Sequence, residues 1–320
     1  MLTPVVVVHG GAGILTRDGD AGLRADQLAG LHASLVAAMR ILEQADQQER
    51  EGTHAAVHQT AAEAAVYAAV MLLEDSPGFN AGRGAVFTRS GDIEHDAAIA
   101  AGDGRFGGVA GLRGIRNPIS AARSVMDDGM HALLCGQAAT SFALEQGCTP
   151  ARHDYFFTER RYRQLKESEA GSPSLDHSGS MGTVGAVALD ADGALAAATS
   201  TGGMTGKRNG RAGDSPIPGA GTWASGGECA VSCTGHGEAF LRGVTAYDVV
   251  ARLRYNGQSL HEACHATLAT LPPGSGGLIA VDRHGTVAMP YTTSGMLRGV
   301  MFAGGAPEVG VFEELEQKND

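Results

Sequence analysis

Thr183 is the residue of this chain whose surroundings best suit a nucleophile. A threonine hydroxyl attacks carbonyls poorly unless a base stands beside it, and a chain terminus can supply that base as its own α-amine. Such an amine has a reference pKa of about 7.7–8.0, so a useful share is unprotonated near neutral pH. Thr183 is internal and gains an amine only if the Gly182–Thr183 bond is cut. The residues before it, about 167–182, are rich in Ser, Gly and Glu, whereas Thr183 opens an apolar run. A compliant connector against a rigid strand would let the Gly182 carbonyl bend toward the Thr183 hydroxyl. On this motif alone, a linker that simply enters a strand at threonine would look the same.

Three glycine-rich polar clusters follow. Thr199-Ser200-Thr201-Gly202-Gly203 ends the second strand of an expected hairpin, which brings Thr201 beside Thr183, where its hydroxyl could position the nucleophile. Gly210-Arg211-Ala212-Gly213-Asp214-Ser215-Pro216 carries a guanidinium and a carboxylate three residues apart. That pair could clamp the two charged ends of a free amino acid, with Arg211 using a two-pronged bond, or the two could simply pair with each other. Thr234-Gly235-His236-Gly237-Glu238 offers a hydroxyl and backbone N–H groups at a strand end, a workable oxyanion hole. Thr234 as an ordinary helix N-cap is the other reading.

The elements around these clusters are legible from periodicity. Val5 to Val8 reads as a buried strand feeding the glycine loop His9-Gly10-Gly11-Ala12-Gly13, and helices are expected over about 25–44 and 53–73. An ordered loop with short strands is expected over 75–108, and helices after Pro118, over about 131–145 and over 159–166. Beyond the connector, strands over 183–189 and 194–200 flank the turn Asp190–Gly193. Strands over 228–233, 277–281 and 286–289 are separated by helices over 245–254 and 260–271. Hairpins rather than crossovers in the second half, with helices before and between them, predict an α/β fold: a four-layer αββα sandwich with mainly antiparallel sheets. Neither side of the connector has enough strands to close a core alone, so residues 1–320 are expected to form one domain.

Bulk properties exclude other classes. A net charge of -11 without a basic face argues against nucleic acid or an anionic membrane as partner, and a small molecule is the expected one. The five cysteines form no C-x-x-C pair and are expected to be buried, reduced thiols. The first residues lack the basic start and cleavage site of a secretory signal, and no window of about 18 residues is uninterruptedly apolar, so the cytoplasm is the expected location.

Six motifs in order, H-G-G-A-G, L-E-x-x-P-x-F-N-A-G-x-G, G-T-V-G-A-V-A-L-D, T-S-T-G-G, G-R-x-G-D-S-P and T-G-x-G-E, run from the first strand to the helix after Gly237. With them the chain resembles, from the first strand to about Met301, the plant-type (type III) L-asparaginase family, also called isoaspartyl peptidases, of the N-terminal nucleophile hydrolases. The resemblance implies autocleavage between Gly182 and Thr183 into an alpha subunit, 1–182, and a beta subunit, 183–320. It implies Thr183 as nucleophile, Thr201 as its assistant, and Thr234 with the Gly235 N–H as oxyanion hole. Arg211 would take the substrate α-carboxylate, Asp214 and the Gly237 carbonyl its α-ammonium, and Asn80 would order the site; no role is extended to His236. The implied substrates are β-aspartyl dipeptides and L-asparagine, and the implied assembly is a dimer of cleaved protomers. No catalytic cofactor is implied, but a structural sodium is, held by the backbone carbonyls of Leu73, Glu74, Ser76, Phe79, Ala81 and Arg83. Rival readings are a non-catalytic amino-acid-binding protein, a threonine endopeptidase, and a glycosylasparaginase, the last disfavoured by the missing secretory signal.

Overall fold

The computed structural model describes residues 2–50, 59–168 and 182–312. Strand β1 (Val5–Gly13) is followed by helices α1 (Ala21–Arg50) and α2 (Ala61–Asp75). A loop with one 3-10 turn at Gly82–Gly84 leads into the antiparallel pair β2 (His95–Ala101) and β3 (Phe106–Leu112). Next come α3 (Pro118–Asp128), β4 (Leu133–Cys135), α4 (Gly136–Glu145), α5 (His153–Phe156) and α6 (Glu159–Ser168). Strands β5 (Val184–Leu189), β6 (Leu195–Thr201), β7 (Thr222–Ala224) and β8 (Cys229–Gly235) precede helices α7 (Gly237–Gly243), α8 (Thr245–Asn256) and α9 (Leu260–Ala269). Strands β9 (Gly276–Asp282), β10 (Val287–Ala288), β11 (Gly295–Phe302) and β12 (Glu308–Gly310) end the described chain.

The strands form two sheets, ordered β12-β11-β1-β5-β6-β2-β3-β4 and β10-β9-β8-β7. Pairing is antiparallel except between β3 and β4. The first strand shows how the sheets are covered. Side chains of a strand alternate between faces, so the run Val5 to Val8 divides itself. Val6 and Val8 join Leu31, Leu35 and Met39 of α1 and Val66 and Val70 of α2, while Val5 and Val7 join Ala230, Ile279 and Val281 of the second sheet. All four valines are fully buried, each contributing about 1.5–3 kcal/mol, and a one-residue slip would exchange the two sets. The second sheet turns its other face, including Val231, Leu278 and Ala280, to Val249, Val250 and Leu268 of α8 and α9. The central strands β5 and β6 lie beyond the connector, between β1 and β2 from before it.

Three expectations need correction. The helix read from about residue 53 starts at Ala61, because Thr60 caps it: its hydroxyl accepts from Glu63 N (3.2 Å) while the Glu63 carboxylate accepts from Thr60 N (3.4 Å). Residues 53–58 of that reading, like 169–181 of the connector, lie outside the described residues. The helix read over 131–145 begins only at Gly136, since Leu133–Cys135 pair with β3, a non-local contact to which helical periodicity is blind. All five cysteines are free, but Cys135 is exposed and Cys148 half-buried.

Candidate active site

Thr183 immediately precedes β5, in the middle of the larger sheet. The β5–β6 register pairs Val184 with Ser200 and so brings the next residue, Thr201, alongside Thr183. The Thr183 hydroxyl donates to Thr201 Oγ1 at 3.2 Å, and Thr201 in turn donates to the Gly182 carbonyl at 2.6 Å. The same carbonyl accepts from Asn80 Nδ2 at 3.1 Å. Asn80 is fixed from both ends, donating to Gly203 O (2.7 Å) and accepting from Val86 N (3.0 Å). The carbonyl carbon of Gly182 therefore lies next to a hydroxyl, with its oxygen already polarised by two donors.

Behind Thr183 runs a buried polar chain; His9 and Thr199 stand in motifs, but neither periodicity nor motif spacing singles out Ser232 and Thr222 or links the four. His9 Nδ1 lies 3.2 Å from the Thr183 carbonyl, which can only accept, so Nδ1 carries the proton and Nε2 accepts from Ser232 Oγ at 2.9 Å. Ser232 and Thr199 hydroxyls are 2.7 Å apart, and Thr222 donates to Thr199 at 2.6 Å. Burial lowers the His9 pKa to about 3, which keeps the ring neutral and this tautomer in place. Gly185 makes the approach possible: a Cβ there would stand 2.1 Å from Ser232 Oγ and 2.4 Å from His9 Nε2. The available signal was polar residues at the inward positions of otherwise apolar strands, which become meaningful only when the strands are stacked.

Thr234 ends up inside β8, and the N-cap of α7 is His236, so the capping alternative for Thr234 is not what the fold does. Its hydroxyl oxygen accepts from Ala12 N at 3.3 Å, presented by the bulge in β1 between His9 and Gly11, and its own proton is left to donate. A Cβ on Gly182 would lie 3.8 Å from Gly235 O, 3.9 Å from Thr234 Oγ1 and 4.0 Å from Gly235 N, so the Thr234–Gly235 corner lies beside the Gly182–Thr183 junction.

Arg211 and Asp214 do not pair with each other. Arg211 forms a two-pronged bridge to Glu238, in the first turn of α7, through Nε and Nη2 at 2.8 Å each. This uses one edge of the guanidinium and leaves the edge formed by Nη1 and Nη2 for a second carboxylate. Glu238 stood in the T-G-x-G-E motif, yet nothing in the sequence linked it to Arg211. Asp214 is buried, and its Oδ2 has no hydrogen-bond partner among the described residues. Burial pushes its pKa up to about 7, against the opposing pull of its own backbone N–H and of Arg211. Gly237 separates the two charges: a Cβ there would meet Arg211 Nη2 at 2.8 Å and Asp214 Oδ1 at 2.9 Å. Thr183, Thr201, Asn80, Arg211, Asp214 and Gly237 all line one cavity of about 260 Å³, which Ile14 and Thr293 also line. His236 sits apart, half-exposed, 3.9 Å from Glu238.

The loop after α2 offers main-chain oxygens. A Cβ on Gly82 would lie 2.5 Å from the Glu74 carbonyl oxygen, and one on Gly84 2.0 Å from that of Phe79, so the glycines let this chain fold tightly over those carbonyls. The Glu74 side chain is turned away to Ile119 N (2.9 Å), and burial raises its pKa to about 8. No cluster of three or more His, Cys, Asp or Glu suited to a metal occurs among the described residues. Of the main-chain oxygens in this loop, those of Leu73 and Ala81 already accept from Ser76 N (3.3 Å) and Gly84 N (3.1 Å).

Comparison with known proteins agrees over the whole length. The family model Asparaginase_2, described as asparaginase, matches residues 2–311. The "Isoaspartyl peptidase" of Escherichia coli (strain K12) is 44% identical over 322 residues, covering 97% of this chain and 96% of that protein. Its Salmonella typhimurium namesake is also 44% identical, over 97% of this chain and 99% of its own. The human "Isoaspartyl peptidase/L-asparaginase" is 38% identical over 303 residues and 92% of each chain. With the match spanning both sides of the connector and every strand of both sheets, the chain belongs to the Asparaginase_2 family.

Proposed function

We propose that this protein is a self-processing hydrolase of β-aspartyl dipeptides and L-asparagine whose nucleophile is Thr183. Its curated relatives are isoaspartyl peptidases and L-asparaginases, and the chain is a hydrolase of that family. The observation that most supports the finer reading is a single cavity holding a threonine hydroxyl, a polarised carbonyl before it, and a separated cation and anion.

In the first reaction the Thr183 oxygen attacks the Gly182 carbonyl carbon, while the Thr201 hydroxyl and Asn80 amide steady the oxyanion. The C–N bond breaks, the Thr183 nitrogen takes a proton and becomes an amine, and water hydrolyses the resulting ester. Fragments 1–182 and 183–320 result. In the second, the free amine accepts the Thr183 hydroxyl proton as the oxygen attacks a substrate β-carbonyl. Thr234 and the Gly235 N–H receive the oxyanion, the leaving amine or ammonia takes the proton, and water releases L-aspartate from the β-aspartyl ester. Arg211 uses its remaining edge for the α-carboxylate, and Asp214 with the Gly237 carbonyl takes the α-ammonium.

The same reading gives the packing as the four-layer αββα sandwich of N-terminal nucleophile hydrolases, one domain that survives cleavage. It also gives a sodium on the carbonyls of Leu73, Glu74, Ser76, Phe79, Ala81 and Arg83, a purely structural ion, and a cytoplasmic dimer of cleaved protomers. No helix among the described residues is long and apolar enough to cross a membrane.

Intact mass after incubation tests the centre of this reading. The wild type resolves into the two fragments and turns over a β-aspartyl dipeptide; Thr183→Ala stays one full-length chain and is inactive. Identical fragments from Thr183→Ala would mean that another protease makes the cut.

A further inference from the structure

The two charges proposed to grip the substrate sit on residues 207–214, an irregular segment between β6 and β7. Irregular segments hold charges in place poorly unless something outside them supplies the restraint. Here the restraint comes from three acidic residues that the mechanism does not use. Asp92, Glu94 and Asp96 alternate along the chain as it runs into β2, and each meets the segment at a different point. Asp92 Oδ2 accepts from Asn209 Nδ2 at 2.8 Å. Glu94 Oε2 accepts from Gly210 N at 2.8 Å, and the Glu94 carbonyl accepts from Lys207 Nζ at 2.9 Å. Asp96 Oδ2 accepts from Gly213 N at 2.9 Å. The anchored amides of Gly210 and Gly213 thus bracket Arg211, and the second immediately precedes Asp214.

The acidic residues are themselves fixed. Glu94 Oε1 accepts from Arg113 Nε (3.2 Å) and Nη2 (2.5 Å), at the end of β3. Asp96 lies where the β2–β3 register shifts between His95 and Ala97, and its Oδ1 accepts from Gly111 N at 2.9 Å. Glu94, Asp96 and Lys207 are almost wholly buried, so these charge-assisted bonds are shielded from water. Since β2 also pairs with β6, Asp96 opposite Thr201, the strand that anchors the charges is registered directly to the strand that holds the nucleophile's partner.

We propose that Asp92, Glu94 and Asp96 are positioning residues for substrate capture, fixing Arg211 and Asp214 at a set distance from Thr183 through the Asn209 side chain and the backbone amides of Gly210 and Gly213. The inference rests on the reading of Arg211 and Asp214 as the site for the free amino-acid end. Asp96 carries the most, because only a carboxylate can accept from Gly111 N and Gly213 N at once; an amide must turn its NH₂ toward one of them. Such a change leaves the Arg211 charge and its bridge to Glu238 in place but frees the backbone beside it at Gly213.

The test compares Asp96→Asn, Glu94→Ala and Glu94→Gln with wild type, following self-cleavage on the uncleaved full chain and turnover on protein confirmed as cleaved. For each, KM and kcat on a β-aspartyl dipeptide, the inhibition constant of L-aspartate, the self-cleavage rate and the melting temperature are measured. Asp96→Asn and Glu94→Ala are expected to raise KM and the L-aspartate inhibition constant together by about tenfold or more, the worth of one bond to a charged group. Self-cleavage, which has no need of the clamp, keeps its rate, and Glu94→Gln, whose one amide oxygen can keep Gly210 N only by turning its NH₂ toward Arg113, falls between wild type and Glu94→Ala. Lower melting temperatures with both constants unchanged would overturn the proposal and leave the three residues purely structural. Should Asp96→Asn not fold, the Glu94 pair carries the same comparison. A wild type that L-aspartate does not inhibit would instead bring down the substrate reading, and this inference with it.

Discussion

The two halves of the site are held by opposite means. Around Thr183 the partners are neutral: Thr201, Asn80 and the His9–Ser232–Thr199 chain, carried largely on paired strands of the two sheets. Around Arg211 and Asp214 the partners are acidic side chains holding an irregular segment: Glu238, Glu94 and Asp96. Perturbed acidities follow the same division. Burial keeps His9 neutral by lowering its pKa to about 3, and it lifts Asp214 to about 7, within the range where a small change of surroundings changes its charge. A reacting oxygen must be placed to a fraction of an ångström, which sheet register achieves without charge. A group that recognises an ion must stay charged while desolvated, which needs counter-charges nearby.

Changes on the nucleophile side are expected to strike the chemical step. Thr234→Val, made and confirmed as cleaved, removes one proposed oxyanion donor while keeping the side chain's shape. Its kcat should fall by about two to three orders of magnitude with KM little altered. A wild-type kcat would reduce Thr234 to the partner of Ala12 N. Arg211→Ala belongs to the other side and should leave self-cleavage intact while raising KM. Removing a charge-assisted hydrogen bond to the substrate costs about 1.5–3 kcal/mol, at least roughly tenfold in affinity; equal turnover of asparagine by mutant and wild type removes Arg211 from substrate capture.

Gly185→Ala probes the neutral chain. The added methyl must displace Ser232 or His9, an overpacking that typically costs about 1–3 kcal/mol. Denaturant titration showing no loss of stability would mean that β5 shifts freely, and with it the rigidity argued for Thr183.

The smallest effect separates the regions by pH. Capture of an ammonium needs Asp214 ionised, so KM should fall as the pH rises through about 7 and flatten in Asp214→Asn. Stability moves the other way for this group. A carboxyl whose pKa is raised on folding holds its proton more tightly when folded, so its contribution declines as pH climbs from its ordinary 3.8 to about 7. His9 has the reverse sign: its lowered pKa makes its contribution complete above the ordinary 6.5 and lost as pH falls toward about 3. A KM for wild type that is flat from pH 6 to 8 would detach Asp214 from the ammonium.

Much of this was already legible along the chain. The hairpin of β5 and β6 follows from two apolar runs around Asp190–Gly193, and that local pairing suffices to place Thr201 beside Thr183. Helices α8 and α9 and strands β8 and β9 were likewise visible, because periodicity and turn residues act over a few positions. What the amino-acid order could not reveal depends on stacking. Whether Arg211 meets Asp214 or Glu238, whether His9 reaches Ser232 223 positions away, and whether Asp96 reaches Gly213 are decided by two sheets and three segments coming together. Local sequence determined which elements form and which residues could react, since propensity and turn chemistry are short-ranged. Only the tertiary structure decided their partners and their acidity, because hydrogen-bond geometry and desolvation belong to the space around a side chain and not to its neighbours in the chain.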